Sequence, residues 1–295
     1  MTESTGAIRW VAGAWAFVAG AAVGSFLNVV VARVPAGESI VHPRSRCPAC
    51  RTPIPWYDNL PVLSWLLLRG RCRSCRTCIS FRYPLVEMLG GAAALVAVSR
   101  HGLSLAALAE FAFAATLLAL SFIDLDTWLL PHVITVPLLA AGLALSALSL
   151  TAAPSLLSSA GGAAAGWLAF AAVSVIGEKV MKKEALGFGD VWLLGGLGAW
   201  LGLGGLLPVV LLASIQGTVV GLALIVMGRG QPGPAEPALA KAAEDAAPPA
   251  LDPDADWVPP RNAVPFGPFL AAGALEWLWL QGWLATAIPA LSLFR

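Results

Sequence analysis

Hydrophobic residues follow one another along this chain in runs long enough to cross a membrane. Eight such runs extend over about 10–34, 84–99, 104–124, 131–150, 160–177, 189–204, 206–228 and 264–291. About 20 apolar residues in a helix cross a bilayer core of about 30 Å. Because lipid offers no partner to an unpaired backbone group, helix is the expected state in these runs. The pattern predicts an all-α, polytopic membrane protein of about eight transmembrane helices.

The composition supports the same class. Hydrophobic residues make up 58% of the chain and charged residues only 12%, against about 25% charged residues in a soluble domain. The first apolar run is too long for the apolar region of a cleaved signal peptide and lacks a basic segment before it. We therefore interpret it as a permanent span.

Basic residues are concentrated in two loops, and this distribution predicts the orientation. Nine arginines lie between residues 33 and 82, and three lysines lie in the short loop 178–184. Cytoplasmic loops of membrane proteins carry an excess of Lys and Arg. Alternation of the predicted spans places both loops in the cytoplasm.

We divide the chain into five segments. They are a first transmembrane helix (1–34), a cytoplasmic cysteine-rich loop (35–82), a transmembrane core (83–228), a linker (229–262) and a last transmembrane helix (263–295). The linker region has eight prolines between residues 231 and 260, a composition typical of a flexible connection that buries no core.

All five cysteines lie in the cysteine-rich loop, where Cys47 and Cys50 form one C-x-x-C pair and Cys72 and Cys75 form another. Two such pairs are typical of a structural zinc site with four thiolate ligands. Free thiols and a redox pair are the alternatives, since a cytoplasmic location disfavours stable disulfides. Cys75 and Cys78 also have C-x-x-C spacing, but we favour Cys72 with Cys75 as the second ligand pair.

Acidic residues occur at the ends of two apolar runs. Asp190 ends the string Gly187-Phe-Gly-Asp190, and Asp124 and Asp126 lie near the end of an earlier run. Carboxylates at membrane depth are candidates for functional sites, and the predicted topology places Asp124 and Asp190 on the same side. Two neighbouring carboxylates that share a proton can hydrolyse a peptide bond. The glycines at 187 and 189 allow close backbone approach around such a pair, whereas Asp126 alone is also compatible with a solvated helix end.

Two other functions fit parts of the pattern. A transporter or proton relay also uses aspartates within the membrane. The arginine-rich loop is also compatible with a zinc module that recruits a partner, while the helices serve as an anchor. Because the positive-inside distribution already explains the arginines, we expect no nucleic-acid partner.

Motifs along nearly the whole chain resemble the prepilin peptidases, which are type IV leader peptidases and N-methyltransferases of the GxGD class. They are Gly24-Ser-Phe-Leu-Asn-Val-Val-Val-Ala-Arg33-Val-Pro35, Ser39-Ile-Val-His-Pro-Arg-Ser-Arg-Cys47-Pro-Ala-Cys50, Arg82-Tyr-Pro-Leu-Val-Glu87, Ile123-Asp-Leu-Asp126, Gly187-Phe-Gly-Asp190, Gly198-Ala-Trp-Leu-Gly202 and Pro265-Phe-Gly-Pro-Phe-Leu270. The resemblance implies a multi-pass enzyme of the bacterial inner membrane whose active site faces the cytoplasm.

The implied reaction is removal of a basic leader, after a glycine, from prepilins or pseudopilins that lie in the lipid membrane. The resemblance makes Asp124 and Asp190 the catalytic pair and leaves Asp126, Gly187 and Gly189 in supporting roles. It also implies methylation of the new N-terminus with S-adenosylmethionine, linked to the cysteine-rich loop.

Four residues depart from the pattern of this family. His132 stands where Asp is common, Trp192 where Lys is common, and Arg71 where Lys commonly follows Gly70, while Cys78 is additional. Neither aspartate of the pair is affected, so we expect the peptidase chemistry to be retained. The methyl-donor site is expected near Gly70 and Arg71 by resemblance alone.

Overall fold

The computed structural model describes residues 2–181, 187–227 and 264–294. These residues form eight α-helices and two short 3₁₀ helices, at Trp56–Asp58 and Pro289–Phe294. The α-helices are α1 (Thr2–Arg33), α2 (Leu63–Leu67), α3 (Arg82–His101), α4 (Leu105–Thr127), α5 (His132–Ser146), α6 (Leu156–Met181), α7 (Phe188–Val226) and α8 (Gly267–Ala287). The described part contains two isolated β-bridges and no strand, so the all-α prediction is confirmed.

Several helices have the length and apolar character of membrane spans. Within the described residues, four helical stretches qualify: Trp10–Arg33, Leu105–Thr127, Leu156–Val180 and Phe188–Val226. Helix α5 is apolar but shorter. The protein is therefore a multi-pass membrane protein, and the count of eight spans stays a prediction. The predicted linker 229–262 and residues 182–184 of the second basic loop lie outside the described residues.

Helix α7 is interrupted at Gly202. The φ and ψ angles there are 76° and 175°, which only glycine adopts at little cost. The backbone N–H freed after the break, at Leu203, donates to the hydroxyl of Ser158, 3.3 Å away. A straight helix of 39 residues would be about 58 Å long, nearly twice the thickness of a bilayer core. The break therefore divides α7 close to the position where the hydrophobic pattern separates two runs.

Glycines allow α1 and α3 to lie close together. A Cβ added at Gly24 would lie 2.7 Å from the Cα of Glu87, and one added at Gly90 would lie 2.7 Å from the carbonyl oxygen of Gly20. Small residues permit such backbone approach between membrane helices, where helix packing depends on van der Waals contact. This pair of helices carries the cysteine-rich loop between them.

Helices α4, α7 and α8 build the main core. Its centre contains the stacked rings of Phe113 and Trp200, whose centroids are 4.7 Å apart, together with the fully buried Leu117, Leu193 and Leu270. The C-terminal end of α4 and the N-terminal ends of α7 and α8 meet beside this core. The predicted catalytic aspartates lie at this meeting point.

Candidate active site and cysteine centre

Asp124 lies in the last turn of α4 and is held by the start of α8. Its side chain is buried, and Oδ2 accepts a hydrogen bond of 3.0 Å from the backbone N–H of Gly267. Gly267 is the first residue of α8, so its N–H has no acceptor within its own helix. A hydrogen bond from N–H stabilises an ionised carboxylate. The contact therefore fixes the position of Asp124 and favours its charged form.

Asp190 lies in the first turn of α7. Its Oδ1 atom is buried and has no hydrogen-bond partner among the described residues. An unpaired buried carboxylate is costly in its charged form. Asp190 is also close enough to Asp124 for the charges of the two groups to interact. The environments of the two aspartates therefore differ, since Asp124 is buried and hydrogen-bonded whereas Asp190 is partly buried with one unpaired oxygen among the described residues.

Leu130 connects the surroundings of both aspartates. A Cβ added at Gly189, next to Asp190, would lie 2.6 Å from the Cβ of Leu130. A Cβ added at Gly267 would lie 2.5 Å from Oδ2 of Asp124 and 3.3 Å from Cδ1 of Leu130. Glycine is thus required at both positions by close approach. Gly187, by contrast, is exposed and would meet only Asp190 Oδ2, at 3.8 Å.

Asp126 takes part in a separate interaction. Both of its oxygens accept from Arg82 Nη1, at 2.6 and 2.7 Å, and Arg82 Nη2 donates to the carbonyl of Phe122 at 3.1 Å. Arg82 is the first residue of α3, so the pair joins the start of α3 to the end of α4. The carboxylate of Asp126 is therefore occupied by a cation, unlike those of Asp124 and Asp190.

The structure brings together the four predicted thiols. The Sγ atoms of Cys47, Cys50, Cys72 and Cys75 all lie within 4.8 Å of one another, and those of Cys47 and Cys75 are 3.8 Å apart. In a tetrahedral zinc site with bonds of about 2.3 Å, the sulfurs lie about 3.8 Å apart. The four thiols therefore fit a zinc ion in both number and spacing.

Residues 45–54 and 70–79 form two turns of the same structure, one for each C-x-x-C pair. In both, the backbone N–H of the first cysteine donates to the carbonyl of a threonine five residues later. These bonds are Cys47 to Thr52 at 3.0 Å and Cys72 to Thr77 at 2.9 Å. Each turn is closed by a β-bridge, between Arg46 and Pro53 and between Arg71 and Cys78. Cys78 thus occupies the position of Pro53 in the first turn, which explains why it lies outside the thiol cluster.

Hydrogen bonds within these turns favour thiolates. The hydroxyl and the backbone N–H of Thr77 lower the pKa of Cys75 to about 6. The hydroxyl and the backbone N–H of Thr52 likewise lower the pKa of Cys50 below its usual range. Thiolate is the form that coordinates a metal ion. The second turn therefore favours the thiolate of Cys75 in the same way as the first turn favours that of Cys50.

The residues near the expected methyl-donor site serve the fold of the second turn. Gly70 has a φ of 65°, and a Cβ there would lie 2.8 Å from the Trp65 ring. Its carbonyl accepts the N–H of Ile79 at 2.7 Å. Neither Gly70 nor Arg71 lines the cavity between α1 and the cysteine-rich loop or the cavity beside Glu110 and Trp200. These contacts account for glycine at position 70 without a bound ligand. The location of the methyl-donor site stays a prediction.

Two of the departures from the family pattern are neighbours in space. The rings of His132 and Trp192 lie edge to face with centroids 6.1 Å apart. Phe188 and Trp167 complete the cluster, with centroid distances of 6.1 to 6.4 Å. Such geometry is favourable for aromatic pairs. An aromatic cluster therefore supports the first turn of α7 at the two positions where the family commonly has charged residues.

A polar cluster at the other end of α4 is not evident from the sequence. The buried carboxylate of Glu110 accepts hydrogen bonds from Arg100 Nε, His101 Nε2 and Trp279 Nε1, at 2.7 to 3.3 Å. It lies 14 residues before Asp124, which corresponds to about 21 Å along the helix. The cluster joins α3, α4 and α8 far from the aspartate pair. In the sequence, the only indication of this cluster is that Glu110 is a charged residue within an apolar run.

Gly267 is the other residue that sequence reasoning missed. The motif Pro265-Phe-Gly-Pro-Phe-Leu270 contributed to the resemblance, but its contact with Asp124 joins residues 143 positions apart. The local sequence does not predict such a contact. It indicates only that a helix begins here, because a glycine followed by proline at the start of an apolar run is typical of a helix N-terminus.

The fold and these sites define a helical, multi-pass membrane protein with one buried and one partly buried aspartate at converging helix ends and a separate four-thiol module. Comparison with known proteins is consistent with this class. The model of the bacterial peptidase A24 N-terminal domain matches residues 18–101, and that of the type IV leader peptidase family matches residues 111–222. The chain belongs to the type IV leader peptidase family.

Curated relatives share most of their length with this chain. A prepilin leader peptidase/N-methyltransferase of Myxococcus xanthus is 43% identical, over 93% of this chain and 92% of the relative. Proteins of the same name from Burkholderia pseudomallei and Aeromonas hydrophila are 39% and 36% identical, over 88% and 95% of this chain and 82% and 94% of the relatives. No solved structure gives a significant match.

Proposed function

We propose that this protein is a leader peptidase that cleaves prepilins or pseudopilins with Asp124 and Asp190 as its catalytic pair. The observation that carries the proposal is the asymmetry of the two carboxylates. Asp124 accepts an N–H from Gly267, whereas Oδ1 of Asp190 is buried without a partner among the described residues. An aspartic peptidase needs one ionised and one protonated carboxyl group in proximity.

The two environments suggest a division of roles. Asp124, stabilised as a carboxylate, takes a proton from the attacking water. Asp190, in its protonated form, donates its proton to the oxygen of the scissile carbonyl. The resulting tetrahedral intermediate then loses its C–N bond as Asp124 gives its proton to the leaving amine. Asp190 takes back a proton from a hydroxyl of the intermediate, which leaves the new carboxylic acid and restores both aspartates to their starting forms. The burial of Asp124 and the partial burial of Asp190 limit the access of bulk water to the reacting bond.

The distribution of basic residues supports cleavage on the cytoplasmic side of the inner membrane. The loop that carries the arginines joins α1 to α3, and Arg82 links the start of α3 to the end of α4 through Asp126. The aspartate pair therefore lies at the same end of the helices as the basic loop. By the positive-inside rule this end faces the cytoplasm.

The cysteine-rich loop is proposed to hold a structural zinc ion through Cys47, Cys50, Cys72 and Cys75. Its two turns have few apolar residues to bury. A metal bound by both turns would join them and contribute to the folding of the loop. Asp58 and Arg73 add a further link, through hydrogen bonds of 2.6 and 2.7 Å.

Methylation of the new N-terminus is the second proposed activity, and it is supported by the names of the relatives. S-adenosylmethionine would supply the methyl group. Neither Gly70 nor Arg71 lines the cavity between α1 and the loop or the cavity beside Glu110, and we assign no residue of this chain to methyl transfer.

The test is incubation of the full-length protein in lipid nanodiscs with a pilin-like substrate, followed by mass spectrometry. Reactions with and without S-adenosylmethionine separate cleavage from methylation. We expect Asp124→Asn and Asp190→Asn each to abolish leader removal without loss of the folded protein. Cleavage by both variants at the wild-type rate would refute the catalytic pair. Transport of protons in place of cleavage would indicate a relay.

A further inference from the structure

A cavity of about 320 Å³ lies between α1 and the cysteine-rich loop. The α1 residues Ala22, Phe26 and Val29 line one side, and Arg33 lies at the end of that helix. Arg44 and Asn59 of the loop line the opposite side. The cavity is separate from the aspartate pair and from the thiol cluster, none of whose residues lines it.

The lining changes from apolar to cationic along α1. Ala22 and Arg33 are 11 residues apart, which corresponds to about 16 Å along a helix. Since α1 is a membrane-spanning candidate, Ala22 lies deeper in the hydrocarbon than Arg33. Phe26, on the apolar stretch of α1, is 48% exposed. The cavity therefore has an apolar end within the membrane and a charged end at its surface.

The charged end is positive. Its guanidinium groups belong to Arg33 and Arg44, and no carboxylate from the described part of the chain lines the cavity. Glu87, on the neighbouring helix α3, does not line the cavity, and its Oε2 accepts from the backbone N–H of Val62 at 2.7 Å. The cavity therefore offers two cations to a ligand and no compensating anion.

The two arginines differ in their hydrogen bonds. Arg33 is fixed by hydrogen bonds of 2.8 Å from Nη1 to the carbonyl of Ser39 and from Nη2 to the carbonyl of Pro43. Arg44 is exposed and has no hydrogen bond or ion pair among the described residues. The guanidinium of Arg33 is thus held in position by the loop, while that of Arg44 is available to contact a ligand.

We propose that this cavity binds an anionic membrane phospholipid, with the headgroup phosphate between Arg33 and Arg44 and an acyl chain along α1. The gradient from apolar to cationic lining matches the order of chain and headgroup in a bilayer leaflet. A basic leader peptide or the positively charged sulfonium of S-adenosylmethionine would meet two guanidinium groups without a counter-charge. The proposal is therefore independent of the peptidase activity.

The test is native mass spectrometry of the full chain released from neutral detergent, titrated separately with four probes. The probes are phosphatidylglycerol, phosphatidylcholine with the same acyl chains, inorganic phosphate and S-adenosylmethionine. We expect phosphatidylglycerol to bind more tightly than phosphatidylcholine, and inorganic phosphate not to displace it. Arg44→Ala should weaken phosphatidylglycerol binding about fivefold, as expected for one basic group near an anionic lipid.

The matched control is Arg46→Ala. Arg46 is exposed, lies two residues from Arg44 and does not line the cavity, so its removal should leave the affinity unchanged. Val29→Trp, which fills the apolar end, should weaken binding of both lipids, and thermal melting by circular dichroism separates this effect from unfolding. Equal affinity for both lipids, equal effects of the two arginine variants, or displacement by phosphate or S-adenosylmethionine would each overturn the assignment.

Discussion

Gly267→Ala is the sharpest test of how the aspartate pair is held. An added Cβ would lie 2.5 Å from Oδ2 of Asp124, 3.2 Å from its Cγ and 3.3 Å from Cδ1 of Leu130. Ordinary contacts of this kind are about 3.5–4.0 Å. Asp124 would therefore have to move by about 1 Å, a displacement that can cost about 100-fold in rate.

The substitution should lower kcat for leader removal by about that factor and change KM little, because Asp124 acts on the reacting bond and not on the rest of the substrate. Alanine favours helix more than glycine does, so a poorer helix α8 is not the cause of such a loss. The assay is the rate of leader cleavage in nanodiscs, measured by mass spectrometry over a range of substrate concentrations.

Gly221→Ala is the matched control, since a Cβ at that position meets nothing within 4 Å. It should cleave at the wild-type rate. Wild-type kcat in Gly267→Ala, with the protein folded, would show that the N–H contact does not position Asp124. The proposed difference between the two aspartates would then lose its main support.

Three further substitutions test the other assignments. Asp126→Asn should reduce cleavage only slightly and lower stability by less than about 1 kcal/mol in thermal melts, because its ion pair with Arg82 is partly exposed. A complete loss of cleavage would make Asp126 catalytic. Cys75→Ser should remove bound zinc in elemental analysis of the purified protein while Cys78→Ser keeps it, and loss of zinc from both would contradict the choice of ligands. Glu110→Gln should lower the free energy of unfolding by about 1–3 kcal/mol, because three hydrogen-bond donors lose part of their acceptor. At a temperature where the variant is folded, kcat for leader cleavage should be unchanged. A large fall in kcat without loss of stability would connect this cluster to catalysis.

Local pattern was enough to predict much of this protein. The apolar runs predicted helices, and the break of α7 at Gly202 lies close to a boundary between two of those runs. The two C-x-x-C pairs identified four thiols that the structure places together. These features depend on residues near one another in the chain or on a ligand chemistry with known spacing, so they can be recognised without coordinates.

The roles of individual residues depended on contacts that the chain order does not show. Asp124 and Asp126 are two residues apart on one helix, but one meets Gly267 and the other meets Arg82. Side chains two positions apart point to different faces of a helix, and only the arrangement of neighbouring helices decides what each face meets.

The sequence by itself determined the class of the protein, because hydrophobic length, charge bias and motif spacing act locally. The tertiary structure decided which carboxylate is held by α8, which is paired with a cation and which has a buried oxygen without a partner among the described residues. It also formed the Glu110 cluster and the cavity beside α1 from distant segments. Such juxtapositions arise when helices pack, and the free energy of packing is a property of the whole fold.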